Sequence, residues 1–150
     1  FRPCRPRYYS QNGTVRTLMI NLPPALMSPR FWTVFGAITC GSGVALGAYG
    51  WHGLGGDTEA QDVFMLAVQY QMWHGLALFA VAWRCDVTGS ATGLSAIAGL
   101  SFLVGIFLFS VNLYHFAIVG EVLISGAAPL GGFALIAGWA LLGLSVIRRP

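Results

Sequence analysis

Four long apolar blocks, separated by short clusters of charged residues, dominate this 150-residue sequence. The blocks cover approximately residues 31–50, 63–83, 93–119 and 127–147. Each is close to the ~20 residues that an α-helix needs to cross ~30 Å of hydrocarbon. None shows the alternation of apolar and polar residues that is typical of a membrane β-strand. The sequence therefore predicts four membrane-spanning helices.

The composition also indicates a membrane protein. Hydrophobic residues make up 56% of the chain and charged residues 9%, whereas about a quarter of the residues in an ordinary soluble domain are charged. The links between the blocks are short, so consecutive helices must run antiparallel. The predicted fold class is therefore an all-α membrane protein, with a four-helix transmembrane up-down bundle over residues 31–150.

Residues 1–30 form a second predicted region, an irregular N-terminal arm rich in proline and arginine. The arm contains five arginines, five prolines and no acidic residue. Prolines at this spacing prevent a continuous helix, and the composition is typical of a flexible segment. The alternative is an arm that lies along a partner protein.

The distribution of arginine predicts the orientation of the helices. With four crossings, all eight arginines lie on one side of the membrane, while Asp57, Glu59, Asp62 and Glu121 lie on the other. The positive-inside rule then places both termini in the cytoplasm, or in the mitochondrial matrix. We therefore expect a bacterial inner (plasma) membrane or mitochondrial inner membrane protein. The net charge of +3 is explained by this topology, and no nucleic-acid partner is expected.

Small residues at helical spacing predict where the spans pack, because helices in lipid associate through close backbone approach. The expected packing glycines are Gly41, Gly43, Gly47, Gly131 and Gly138. They lie on the first and fourth spans, which have more small faces than a four-helix core requires. The expected partners are therefore the lipid bilayer and other membrane protein subunits.

The predicted spans contain several polar residues, among them Gln69 and Gln71, and three are candidates for a packing role: His74, Ser110 and Asn112. A polar group in hydrocarbon needs a hydrogen-bond partner, so we expect all three to be packing residues that face the bundle. The partner expected for His74 is a backbone carbonyl or a serine on a neighbouring helix. The alternative for His74 is a cofactor site, as a haem or quinone contact, or a step in a proton path. A haem with two histidine ligands is not expected, because His52 and His115 lie near the outer surface.

Four residues near the outer ends of the spans are weak candidates for a metal site: His52, Glu59, Asp62 and His115. Imidazole and carboxylate groups together suit a transition metal. Their spacings match no established ligand pattern, however, and polar residues at a membrane surface need no metal to explain them. The expectation is therefore no metal and no cofactor.

Four segments resemble a known family of small membrane proteins. They are GAYGWHGL (47–54), YQMWHGLAL (70–78), LFSVNLY (108–114) and PLGGFALIAGW (129–139). Together and in this order they are similar to the YgdD and transmembrane protein 256-like family, which carries domain of unknown function 423. The sequence departs from the family pattern at Trp51 and Gly75, where members tend to have a small residue and an alanine. The resemblance implies a four-span fold and no established reaction.

Three hypotheses for function follow from these patterns. The leading one is a non-catalytic accessory or assembly subunit of a larger, energy-transducing membrane complex, because no catalytic constellation is present and small faces are left over. The second is a small transporter or channel, which would require paired charges or a broken helix inside the membrane. The third is a redox or quinone-binding membrane protein that uses His74. No enzymatic activity is expected from the leading hypothesis.

Overall fold

The computed structural model describes residues 28–54, 56–88 and 93–147, which are almost entirely helical. The helices are α1 (Pro29–Gly53), α2 (Thr58–Thr88), α3 (Gly93–Ile106), α4 (Asn112–Val119) and α5 (Ala127–Ile147). A π-helical turn, Phe107–Val111, joins α3 to α4 without a break. The predicted all-α fold class is confirmed. The predicted N-terminal arm covers residues 1–30, of which residues 1–27 lie outside the described residues, while Pro29 and Arg30 already belong to α1.

Among the residues that the structure describes, four helical segments are long and apolar enough to cross a membrane. They are Pro29–Gly53, Thr58–Val87, Gly93–Val119 and Ala127–Ile147. Each contains one predicted span. The third segment, Gly93–Val119, is called the third span below; it comprises α3, the π-helical turn and α4.

The first two helices are longer than their apolar blocks, because local capping sets the start of a helix. Pro29 begins α1, where the fixed backbone angle of proline suits the first helical turn. At the start of α2, the Asp57 carboxylate Oδ1 accepts a hydrogen bond from the Ala60 N–H at 3.0 Å. This N-cap contact satisfies one of the free N–H groups at the helix end, so α2 begins five residues before the predicted limit at residue 63.

The four spans are arranged in chain order. α1 packs along α2, α2 packs against the third span, and the third span packs against α5, while α1 and α5 share no extensive packing within the described ranges. In the most apolar 18-residue stretch of each span, 17% of the residues are buried in α1 and 22% in α5. The corresponding share is 44% in α2 and in the third span. The two outer helices therefore leave most of their surface to the membrane or to other chains.

Close backbone approach holds α5 against the third span. A Cβ atom on Gly131 would lie 2.6 Å from the Phe109 backbone nitrogen and 3.0 Å from the Gly105 carbonyl oxygen. Further along α5, a Cβ on Gly138 would lie 2.6 Å from the ring of Phe102. Only hydrogen fits at these positions, and the two helices gain dispersion contacts over the whole interface as a result.

Gly43 of α1 fits against a side chain of α2, since a Cβ there would lie 2.6 Å from the Met72 sulfur. Gly47 faces α2 without a close approach, because a Cβ there would lie 3.5 Å from Val68, an ordinary van der Waals distance. Gly41 differs from the expectation, since a Cβ there would meet no atom within 4 Å. The reason is helical geometry, because two residues correspond to about 200° around the axis. Gly41 therefore faces away from α2, on the outer side of α1.

Two apolar clusters fill the interior. One surrounds Trp32, Leu78, Val81 and Phe102, all of which are fully buried. Trp32 extends from α1 to the third span, where a Cβ on Gly99 would lie 2.5 Å from its ring. The second cluster joins α2 to α4 around Phe64, Ala67, Val68 and Tyr114. Together the clusters fix the depth at which the spans meet and hence the neighbours of each polar residue.

We expect Gly131→Ala to destabilise the protein and the adjacent Gly132→Ala to have little effect. The new Cβ at position 131 would press on backbone atoms of the third span, which cannot rotate away, at a cost of about 1–3 kcal/mol. At position 132 the same Cβ would meet no atom within 4 Å. Thermal unfolding in detergent measures both variants, and equal melting temperatures would contradict the described packing.

Candidate functional site

Gln71 is the centre of a polar contact between three helices. Its side chain is 6% exposed, and its Nε2 donates to the Thr39 carbonyl at 2.8 Å and to the Ser42 Oγ at 2.9 Å, both on α1. Its Oε1 accepts a hydrogen bond from the Tyr114 hydroxyl at 2.9 Å. One amide therefore links α1, α2 and α4, and both its donor and acceptor sides are satisfied. Such a saturated amide stabilises a bundle and is chemically inert.

Gln71 was evident from the sequence as a polar residue of the second span, but no role was predicted for it or for Tyr114. A glutamine in the middle of an apolar span carries the same desolvation cost as a histidine there. This cost was the feature of the sequence from which a hydrogen-bonded packing role for Gln71 could have been predicted. The position of Tyr114 opposite Gln71 depends on the register between α2 and α4, which the residue pattern alone does not contain.

His74 lies near the middle of α2, sixteen residues after Thr58 and fourteen before Thr88. Its side chain is 5% exposed, and its Nδ1 lies 2.7 Å from the Tyr70 carbonyl oxygen. The accepting carbonyl belongs to the preceding turn of the same helix, so this hydrogen bond does not join two helices. A carbonyl only accepts, so Nδ1 carries the proton, and Nε2 of the neutral ring has a free lone pair. Nε2 has no hydrogen-bond partner among the residues that the structure describes.

An aromatic cluster surrounds His74 at the edge between α2 and α5. It consists of Tyr70, Trp73, His74, Phe102 and Trp139. The His74 ring centroid lies 5.8 Å from Tyr70, 5.7 Å from Phe102 and 6.1 Å from Trp139. Trp73 and Trp139 are 54% and 49% exposed. The cluster is therefore buried on one side and open to the membrane on the other.

Asn112 holds the connection between the third span and α5. Its Oδ1 accepts hydrogen bonds from the backbone N–H groups of Leu123 (2.9 Å) and Ile124 (3.2 Å), and its Nδ2 donates to the Ile124 carbonyl at 3.2 Å. Gly120, with φ 81°, ends α4 in the left-handed conformation and reverses the chain. Since Asn112 lies seven residues before Val119, or about 10 Å along the helix, the connection runs back along α4. Asn112 was expected to pack between helices, and its contacts are to this connection.

Ser110 lies in the π-helical turn and is fully buried. Its Oγ has no hydrogen-bond partner in the described ranges. Serine in an α-helix commonly donates to a carbonyl one turn earlier, and a π turn changes the position of that carbonyl. The expected hydrogen-bonded packing role of Ser110 is therefore not seen. The turn meets the aromatic cluster through Phe109, whose ring centroid lies 4.5 Å from that of Tyr70.

The outer polar residues do not assemble a metal centre. Within residues 28–54, 56–88 and 93–147, no group of three histidine, cysteine, aspartate or glutamate side chains is placed to hold a metal ion. All four weak candidates, His52, Glu59, Asp62 and His115, lie within these ranges. The His115 Nδ1 instead lies 2.8 Å from the Glu121 carbonyl, to which it donates. This contact fixes the start of the same connection that Asn112 holds.

Arg84 is a buried charged residue at the other end of the bundle. Its side chain is 3% exposed, and its Nη2 donates to the Ser145 carbonyl in the last turn of α5. The final carbonyls of a helix have no partner within the helix and carry partial negative charge. A guanidinium there satisfies one of them and ties α2 to α5. The sequence analysis used Arg84 only for topology.

Comparison with known proteins gives a consistent result. Residues 46–132 match the family described as "Protein of unknown function (DUF423)". The chain is 35% identical over 121 residues to the UPF0382 membrane protein YwdK of Bacillus subtilis, covering 79% of this chain and 98% of the relative. It is 32% identical over 125 residues to the UPF0382 membrane protein SH2409 of Staphylococcus haemolyticus, covering 79% and 97%.

A third relative carries a more specific name. The chain is 34% identical over 126 residues to the UPF0382 inner membrane protein YgdD of Escherichia coli, covering 81% of this chain and 93% of the relative. Comparison with solved structures finds no significant match.

We expect Asn112→Ala to lower the free energy of unfolding by about 2 kcal/mol, because three backbone groups of the connection lose their partner. Asn112→Asp is a second variant: its carboxylate still accepts from Leu123 and Ile124, but it cannot donate to the Ile124 carbonyl and it places a charge beside that carbonyl. A buried charge within a span is costly, so this variant should be destabilised at least as much as the Ala variant at neutral pH. Proteolysis between Gly120 and Gly126 together with thermal unfolding measures both variants. An Ala variant as resistant and as stable as the wild type would contradict this role.

Proposed function

This chain belongs to the DUF423 family of small membrane proteins, and from that membership we propose that it is a non-catalytic accessory or assembly subunit of a larger membrane complex. The proposal includes no reaction, since the family description names none. It requires a surface on which a second membrane protein packs. The outer face of α1 provides that surface.

The observation that carries the proposal is a row of small exposed residues on α1. Ala37, Gly41 and Ala45 are four residues apart and all exposed. A Cβ on Gly41 would meet no atom within 4 Å. Lipid chains gain nothing from a small residue, whereas another helix can approach its backbone closely. The low burial of α1 within the chain leaves this row free for such a helix.

The alternative of a transporter or channel has less support. Transporter sites near the midplane typically use broken helices and paired charges. In the described part of the chain, the four spans are continuous helices. The charged residue buried in α2, Arg84, lies in the last turns of that helix and contacts the end of α5. These features fit a scaffold better than a substrate path.

We also propose a location in an inner membrane with both termini on the cytoplasmic or matrix side. All eight arginines fall on one side when the chain crosses four times, which supports the positive-inside orientation. The relative in Escherichia coli is named an inner membrane protein. The Gly50–Asp62 and Gly120–Gly126 connections then face the opposite side.

This topology predicts that the two ends of α2 are labelled from opposite faces. Thr58→Cys and Val87→Cys are made singly in a chain whose native cysteines are replaced. In intact cells, a membrane-impermeant maleimide should modify position 58 at once and position 87 only after permeabilisation. Modification of both positions from the same face would show that α2 does not cross the membrane.

The subunit proposal predicts that Gly41→Leu abolishes association while leaving the fold intact. A leucine there has space in the isolated chain, because no atom lies within 4 Å of its Cβ, but it would separate a helix packed on the row. Gly143→Leu on α5 is the matched control, since its Cβ also meets no atom within 4 Å. Native mass spectrometry after gentle solubilisation measures the assembled mass. If Gly41→Leu keeps the wild-type assembly, the proposed surface is wrong.

A further inference from the structure

We propose that the aromatic cluster between α2 and α5 binds a membrane-soluble hydroquinone ring. This ligand site is separate from the proposed subunit surface, because it involves the edge of α2 next to α5 and not the outer face of α1. Three properties of the cluster favour this ligand: its free polar atoms, the tautomer of His74, and its depth and shape.

Two polar atoms of the cluster have no hydrogen-bond partner in the part of the chain that the structure describes: the Tyr70 hydroxyl and the His74 Nε2. The two residues are one helical turn apart, and their rings stack at 5.8 Å with an interplanar angle of 29°. Unsatisfied polar groups in hydrocarbon are costly. A ligand that forms hydrogen bonds to both atoms would remove this cost.

The His74 tautomer specifies what the ligand must offer. Because Nδ1 donates to the Tyr70 carbonyl at 2.7 Å, Nε2 of the neutral ring is an acceptor and needs a donor. A hydroquinone hydroxyl supplies that donor, and its oxygen atoms can also accept from the Tyr70 hydroxyl. The oxidised quinone has only accepting oxygens, so it would leave Nε2 without a partner. The site should therefore bind the reduced form more tightly.

The depth of the cluster excludes a phospholipid headgroup as the occupant. His74 lies sixteen and fourteen residues from the two ends of α2, which is about 24 Å and 21 Å along the helix. Phospholipid headgroups remain outside the hydrocarbon core, and their acyl chains have no hydrogen-bonding groups at this depth. A ring that carries hydroxyl groups on an apolar tail can reach it.

The shape of the cluster suits a planar ring. Trp73 and Trp139 are each about half exposed, whereas His74 is 5% exposed. Phe102 and Trp139 are in edge contact at 5.2 Å, with an interplanar angle of 69°. Aromatic rings favour offset-stacked and edge-to-face contacts, and the two tryptophans present such surfaces to a ligand that approaches from the lipid. Since α2 and α5 share no extensive backbone packing in the described ranges, the ligand need not separate two helices.

The test measures binding of decylubiquinol and decylubiquinone to the full chain in lipid nanodiscs, by calorimetry under anaerobic conditions. We expect saturable binding of the quinol beyond that of empty nanodiscs, and weaker binding of the quinone. Tyr70→Phe removes the free hydroxyl alone, so quinol affinity should fall about tenfold, the scale of one hydrogen bond. Its melting temperature without ligand should not change, because that hydroxyl has no partner in the described protein.

Tyr114→Phe is the matched control. It removes a hydroxyl that donates to Gln71 at 2.9 Å, so the melting temperature should fall while quinol affinity stays at the wild-type value. The proposal is overturned if the wild type binds no more quinol than empty nanodiscs, if it binds quinone as tightly as quinol, or if Tyr70→Phe binds quinol with wild-type affinity.

Discussion

The hydrocarbon core has no water, so every polar group inside it needs a partner from the protein, and the architecture of this chain depends on that constraint. Gln71 satisfies it by joining α1, α2 and α4 through one amide. Asn112 satisfies it for the backbone of the outer connection. Arg84 satisfies it for a carbonyl at the end of α5. The polar residues thus add specific hydrogen bonds between segments whose relative depth the two apolar clusters fix.

Much of the fold was predictable because the apolar blocks correspond directly to the thickness of the hydrocarbon. The number of helices and their antiparallel order followed from block length and short links. The helix ends did not follow, since a cap such as Asp57 extends a helix beyond the membrane. The separation of α1 from α5 also did not follow. The rows of glycine on both helices predict that another helix packs on each, but they do not show which glycine faces it. Gly43 faces α2, whereas Gly41 faces away from it.

The polar residues within the spans could be identified from the sequence, but their hydrogen-bond partners could not be predicted. His74 and Asn112 were identifiable because each is costly in an apolar span. Their contacts depend on which residue of a neighbouring segment lies at the same depth. For Asn112 that segment is a reversed connection, and for His74 the partner is its own helix. No role was predicted for Gln71 or Tyr114 for the same reason, because the hydrogen bond between them joins residues 43 positions apart in the sequence.

The π-helical turn at Phe107–Val111 changes the phase of the third span. A π turn accommodates one extra residue relative to an α-helix, which rotates everything after it by about 100°. Before the turn, Phe102 meets Gly138 of α5; after it, Tyr114 meets Gln71 of α2. The span therefore behaves as two half-helices with separate orientations on one continuous backbone. The half before the turn packs against both α2 and α5, whereas α4, after the turn, packs mainly against α2.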